Sequence, residues 1–91
     1  MADNPYTVFY INGIAYVVDD STPLCRYDKI LSNVTLYQSP HGKFFTVENN
    51  IADDVTVRLV SKADAVRFMN EHPAGIFAEK YIHVFGQPKQ G

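Results

Sequence analysis

Three histidines are the residues in this sequence whose type first suggests chemistry at a metal. They are His41, His72 and His83, and none has the His-x-x-x-His or His-Glu-x-x-His spacing that places two ligands on one helix face. The five glycines are separated from one another along the chain. A phosphate-binding loop needs clustered glycines whose backbone approaches the ligand closely. The sequence therefore predicts neither a metal site nor a nucleotide site.

Cys25 and the pair Asp53-Asp54 are the remaining candidates for catalysis. A thiolate nucleophile needs a histidine base and a third group that orients it, and no such set is visible around Cys25. Adjacent carboxylates on a loop usually diverge, whereas acid-base catalysis needs them to converge on one bond. We therefore predict a structural thiol, a solvated loop, no catalytic residue and no cofactor, in a protein that is not an enzyme.

Length and composition predict one small domain over residues 1–91. The single cysteine excludes an internal disulfide and favours a reducing compartment. The first residues have neither a basic stretch nor an apolar run, and no segment has the roughly 18 apolar residues of a membrane span. These features predict a soluble, cytoplasmic protein without a membrane partner.

The charge pattern bears on the class of partner. The net charge is -2, and the eight Lys and Arg residues are scattered rather than clustered. A partner held through phosphate contacts requires a clustered basic face. Nucleic acid is therefore not the expected partner.

The clearest local signal is a hairpin over residues 6–18. Asn12-Gly13 supplies the positive φ values of a type I′ turn between two apolar runs. Counting outward from this turn gives the pairs Ile11–Ile14, Phe9–Tyr16 and Val8–Val17. Both faces of the ribbon are then apolar, so each must be covered or one must await a partner.

The stretch from Leu24 to Asn33 follows a break at residues 19–23 and has no clear pattern. Two alternatives fit it. It is either an extended connection that carries Cys25 and Tyr27, or a short strand that pairs with the first hairpin.

A second hairpin is predicted over residues 34–48. Ser39, Pro40 and Gly42 suit the first, second and fourth positions of a type I turn. Pairing Ser39 with Gly42 places one set of residues on the core face and another on the opposite face. The core pairs are Leu36–Phe45 and Val34–Val47, and the opposite pairs are Tyr37–Phe44 and Thr35–Thr46.

The C-terminal half predicts a strand, a helix and a further element. Residues 55–60 alternate as a half-buried strand, residues 62–72 form an amphipathic helix capped by Ser61, and residues 75–85 fit a short helix or a strand. We favour a helix that ends before Gly86, followed by a frayed tail over 87–91. The strand is expected to turn Val55, Val57 and Leu59 inward. The predicted fold class is α+β, with an antiparallel sheet of two hairpins and a further strand packed by one or two C-terminal helices.

The face opposite the predicted core carries the best candidate for function. An exposed aromatic pair of this kind is a typical anchor at protein interfaces. We therefore expect a protein-binding module, whose partner-binding residues are Tyr37, Phe44, Thr35, Thr46 and Glu48. One alternative is a single-stranded nucleic-acid binder that uses the same aromatics as stacking platforms. Another is a homodimeric accessory protein that associates through the first hairpin.

Several segments carry a resemblance to a known group. They are Leu36-Tyr37-Gln38-Ser39, Gly42-Lys43-Phe44-Phe45, Arg58-Leu59-Val60-Ser61-Lys62, the helix from Ala65 to His72, and Phe85-Gly86. Together they resemble a loose group of small bacterial proteins common on phages and mobile elements. That resemblance implies an accessory protein of a mobile element, a class that includes anti-CRISPR inhibitors, with a host defence complex as its partner.

Overall fold

A central sheet divides this chain into three layers. The computed structural model describes residues 7–50 and 54–87, within which the chain forms six strands and two α-helices. The predicted α+β class is confirmed, with the strands divided between two antiparallel sheets. The elements are β1 (Val8–Ile11), β2 (Ile14–Val17), β3 (Thr22–Asp28), β4 (Ser32–Gln38), β5 (Phe44–Asn50), β6 (Val55–Val60), α1 (Lys62–Glu71) and α2 (Ala78–Phe85), with 3-10 turns at Val18–Asp20 and Pro73–Gly75.

The four-stranded sheet has the order β3-β4-β5-β6, and it is covered on both faces. We call these faces the helix side and the hairpin side. On the helix side α1 and α2 pack on a core that contains Leu24, Cys25, Leu36, Phe44, Ala65 and Met69. On the hairpin side β1 and β2 pack through Phe9, Ile11 and Tyr16 on Phe45, Val47 and Val57. Two separate cores therefore share the same sheet.

The first hairpin has the predicted turn and register. Asn12 and Gly13 have φ values of 53° and 78°, as a type I′ turn requires. Phe9 pairs with Tyr16, and these side chains turn toward the sheet. Tyr10 lies on the outer face and is 76% exposed.

The segment with two open alternatives is a strand, β3, and its partner is β4 rather than the first hairpin. A bulge between Pro23 and Cys25 lets both Leu24 and Cys25 reach the helix-side core. The outer edge of β3 is covered in part, because Phe77 N–H donates to the carbonyl of Leu24 at 2.9 Å. Gly75 permits this close approach, since a Cβ there would lie 1.8 Å from the carbonyl oxygen of Arg26.

The predicted pairing of the second hairpin is wrong by one residue. Ser39 pairs with Lys43 rather than Gly42, because Ser39 N–H donates to the carbonyl of Lys43 at 2.7 Å and Ser39 Oγ accepts from Lys43 N–H at 3.1 Å. Gly42 has a φ of 85° and forms the extra, bulged residue. A plain type I turn splays two strands apart, whereas a type I turn followed by this bulge matches their twist. The ladder extends to Asn50, two residues beyond the end of the hairpin predicted over residues 34–48.

This one-residue shift moves side chains to opposite faces of the sheet. Tyr37 lies opposite Phe45 on the hairpin side, and Phe44 lies opposite Gln38 on the helix side. The expected Tyr37–Phe44 pair therefore does not form, and neither does the Thr35–Thr46 pair.

The C-terminal elements follow the predicted order. Ser61 caps α1 by accepting a hydrogen bond from Asp64 N–H at 3.0 Å. The ambiguous last segment is a helix, but it begins at Ala78 because residues 73–77 run along β3 first. Val57 packs on the hairpin-side core as expected, whereas Val55 and Leu59 are 46% and 39% exposed because the two-stranded layer does not cover them.

The predicted tail is described only as far as Gln87, and Asp53 also lies outside the described residues. Neither described helix is long and apolar enough to cross a membrane.

Candidate functional site

The five residues predicted to bind a partner do not form one surface. Tyr37 is half-buried and stacks on Phe45, with ring centroids 5.3 Å apart and an interplanar angle of 15°. Thr35 lies on the same face and is buried. Burial is the main cause of a raised pKa at the Tyr37 hydroxyl, and Arg26 opposes it.

The other three residues lie on the helix side. Phe44 is 7% exposed and stacks on Phe85 of α2, with centroids 6.0 Å apart. Thr46 and Glu48 are half-buried. Because Tyr37 and Phe44 are each covered by a different layer, they do not offer bases a common stacking platform.

The candidates for chemistry are dispersed as well. Cys25 is fully buried, and its Sγ donates to the backbone carbonyl of His72 at 3.3 Å rather than to an imidazole. The ring of His72 instead stacks on Tyr27, with centroids 3.9 Å apart. His41 and His83 are exposed on a turn and on α2. Across residues 7–50 and 54–87, no three His, Cys, Asp or Glu side chains group as metal ligands.

The tight turn between β3 and β4, residues 29–32, exposes two large aliphatic side chains side by side. Ile30 is 98% exposed and Leu31 is 61% exposed. Gly, Asn, Asp, Pro and Ser dominate tight turns because their backbone and side chains suit turn geometry. Isolated apolar residues are ordinary on surfaces, whereas two adjacent exposed ones at the tip of a turn are a candidate for contact with a partner.

Polar groups surround this apolar pair, and Glu48 is the predicted site residue among them. Its Oε2 accepts from Lys29 Nζ at 3.2 Å and from Ser32 Oγ at 3.4 Å on the helix side of the sheet. On the hairpin side, Asn49 Nδ2 donates to Asn33 Oδ1 at 3.4 Å. An apolar centre with a hydrogen-bonding rim is the usual anatomy of a protein-binding patch.

The turn is also held in shape before any partner arrives. Lys29 N–H donates to the carbonyl of Ser32 at 2.7 Å and closes the loop. Asp28 pairs with Asn33 at the end of the ladder, and its carboxylate accepts from Arg26 Nε at 2.8 Å. A preformed turn loses little conformational entropy when it docks, so more of the contact energy is available for binding.

Concave surfaces occur elsewhere. One of about 850 Å³ is lined by residues that include Thr22, Glu79, Lys80 and His83. An open cleft of about 330 Å³ lies between α1 and α2, lined mainly by apolar side chains that include Val66, Met69, Tyr81 and Ile82. A groove of about 630 Å³ runs beside the Tyr27–His72 stack. The lining of this groove includes Asp28 and Glu71 beside the two stacked rings.

In comparisons with known proteins, no family model, no curated protein and no solved structure matches this chain. The fold and the surface therefore define its class as a small α+β domain with a preformed apolar turn.

Sequence reasoning missed Ile30 and Leu31 because it left residues 24–33 without an assigned structure. The available signal was the pair Ile30-Leu31 directly before Ser32-Asn33, between two segments that can each form a strand. The pair lies at the tip of a hairpin only because residues 22–28 form the strand β3, which pairs with β4.

Proposed function

We propose that this chain is a non-enzymatic protein-binding module that contacts its partner through the turn between β3 and β4. The observation that carries the proposal is the exposure of Ile30 and Leu31 on a short, hydrogen-bonded turn. Full burial of an Ile or a Leu side chain, relative to its exposure to water, contributes about 1.5–3 kcal/mol of favourable free energy. Contacts within the described residues leave Ile30 98% exposed, so its side chain is free to supply such a contribution to binding.

The chemistry of the turn indicates the kind of partner. Two adjacent aliphatic side chains carry no charge and no aromatic ring, which suits an apolar pocket on a protein rather than phosphates or bases. The Lys29–Glu48 ion pair and the two asparagines offer donors and acceptors around that pocket. The rim then contributes specificity, and the two aliphatic side chains contribute most of the affinity.

The finer hypothesis, an inhibitor of a host defence effector, depends on the sequence resemblance alone. It makes a separate prediction, namely that the protein captured by the turn is a component of a defence complex. A partner of another kind would be consistent with the binding-module proposal and would refute the inhibitor hypothesis.

The test replaces both side chains in the variant Ile30→Asn/Leu31→Asn. Asparagine suits a turn, so the fold should keep its stability while the apolar contact is lost. Affinity for the partner should fall roughly a hundredfold or more, because two buried aliphatic side chains are removed from the interface. The partner is first identified in the native cell with a photo-cross-linking residue at position 30, and binding is then measured with purified components.

The control is Val66→Asn/Ile82→Asn, which makes the same change at two aliphatic residues on the helices that are each 37% exposed. A cross-linker at position 66 serves as the control for capture. Equal affinity of the turn variant and the unmodified chain would refute the proposal, as would a partner that is cross-linked from position 66 and not from position 30.

A further inference from the structure

Strand β6 forms one edge of the central sheet. Asn50 N–H donates to the carbonyl of Asp54 at 2.9 Å, which fixes the hydrogen-bonding phase of the β5–β6 ladder. In an antiparallel ladder, alternate residues bond the neighbouring strand. Even-numbered residues of β6 therefore point their backbone groups toward β5, and Val55, Val57 and Leu59 point theirs outward.

These outward groups have no partner within the part of the chain that the structure describes. β6 bonds only β5 there, and no turn or side chain bonds its other edge. The side chains of Val55 and Leu59 are 46% and 39% exposed on the hairpin side. An open edge with exposed apolar side chains is a template for strand addition.

We propose that the occupant of this edge is β6 of a second copy of the chain, paired antiparallel about a two-fold axis at Val57. This register places Val57 opposite Val57 of the second copy and Val55 opposite Leu59. All three outward residues then exchange backbone hydrogen bonds, and the two sheets join into one continuous sheet of eight strands.

The two neighbouring symmetric registers are less favourable than the one centred on Val57. Residues that lie opposite each other must share a face, so a symmetric pairing is centred on a residue. Centring it on Arg58 would place two guanidinium groups opposite each other, which is destabilising. Centring it on Thr56 would leave Leu59 without an apolar partner.

Charge is balanced in the pairing at Val57. On the helix side Arg58 then lies opposite Thr56 of the second copy, and its two diagonal neighbours are Asp54 and Arg58 of that copy. One diagonal contact attracts and the other repels, so charge does not select this register. The edge is complementary to itself in hydrogen bonding and in apolar contact.

One strand pair is a small interface. It buries less than the roughly 1,200 Å² at the lower limit of standard interfaces, so we expect a dissociation constant on the order of micromolar or weaker. Sedimentation equilibrium of the full chain, over a concentration series that extends to millimolar, measures it. A monomer throughout that series overturns the proposal.

Two variants test whether the β6 edge carries the dimer. Val55→Pro removes an outward N–H at the first residue of an edge strand and costs no bond to β5. Leu59→Lys places a charge in the apolar contact, and Val66→Lys is the control on α1 with matched exposure of 37%. Each β6 variant should weaken the dimer about tenfold or more, and Val66→Lys should leave it unchanged.

Cysteine substitution tests the register. A mixture of Val55→Cys and Leu59→Cys chains should cross-link with a short bismaleimide, because these two exposed positions lie opposite each other in this register. Leu59→Cys alone should not cross-link to itself, since its symmetry mate lies four residues away along the strand, and the unmodified chain controls for the buried Cys25. A cross-link in Leu59→Cys alone without one specific to the mixture overturns the pairing. A dimer that is lost in Tyr10→Lys and kept in the β6 variants would belong to the first hairpin and would overturn it as well.

Discussion

At the scale of the residue, the environment of Cys25 is that of a structural cysteine. Its thiol is fully buried in the helix-side core and donates to a backbone carbonyl. Removal from water raises the pKa of this thiol, and a backbone hydrogen bond at Arg26 opposes the effect. A reactive cysteine needs an accessible thiolate, so this residue stabilises packing instead.

The raised pKa of Cys25 predicts a pH dependence of stability. The folded state holds the thiol proton more tightly than the unfolded state, whose cysteine titrates near pH 8.5. The contribution is fully present below about pH 8.5 and is lost as the pH rises through the higher folded pKa. Urea unfolding across neutral to alkaline pH should therefore show a falling free energy of unfolding.

Two variants separate the groups that produce this loss. Cys25→Ala should flatten the decline from about pH 8.5, whereas Tyr37→Phe should affect only the part near pH 10 and above, where tyrosine titrates. The folded chain should also react slowly with a thiol reagent until it is unfolded. An equal slope in Cys25→Ala and the unmodified chain would contradict the assignment.

At the scale of the element, the turn between β4 and β5 decides the faces of the sheet. The bulge at Gly42 adds one residue to the loop, and that residue separates Tyr37 from Phe44. The same shift places Phe44 in contact with α2 and brings Glu48 beneath the β3–β4 turn. One backbone conformation thus determines which side chains are available at each surface.

The Gly42 bulge predicts a specific pattern of substitutions. Gly42→Ala forces a side chain into a left-handed backbone and should destabilise the fold by about 1–2 kcal/mol. Gly42→Asn should cost less, since asparagine tolerates this conformation. Urea unfolding measures both, with His41→Ala as the neighbouring exposed control. Equal stability of Gly42→Ala and His41→Ala would show that the bulge is not required.

At the scale of the whole molecule, the first hairpin is a packing layer. Tyr16 is 2% exposed and packs on Phe45, with ring centroids 5.5 Å apart. Its neighbour in the same hairpin, Tyr10, is 76% exposed. Substitution of Tyr16 therefore tests the packing of the hairpin on the sheet, and substitution of Tyr10 tests its outer face.

Replacing these tyrosines tests the three-layer arrangement. Tyr16→Ala should reduce the free energy of unfolding by about 3–5 kcal/mol and expose Phe45, which binding of a hydrophobic dye would detect. Tyr10→Ala should change stability by less than about 0.5 kcal/mol. Similar effects of the two substitutions would show that the hairpin does not cover the sheet.

The sequence by itself determined the elements whose signals are local. Asn12-Gly13 specifies a turn through backbone φ, Ser61 caps a helix through its own hydroxyl, and the alternation over residues 55–60 marks a strand. Each of these depends on neighbours within a few residues. For that reason the fold class and the order of elements were predictable.

Tertiary structure alone decided where side chains face and which of them remain exposed. The bulge at Gly42 adds one residue to the loop and so changes which side chains of β5 lie on each face of the sheet. Strand β3 forms because its backbone bonds β4 on one side and, in part, residues 75–77 on the other. The exposure of Ile30 and Leu31 follows from that strand. The local pattern of residues 24–33 left β3 unassigned, because residues 75–77, which satisfy part of its outer edge, are distant along the chain.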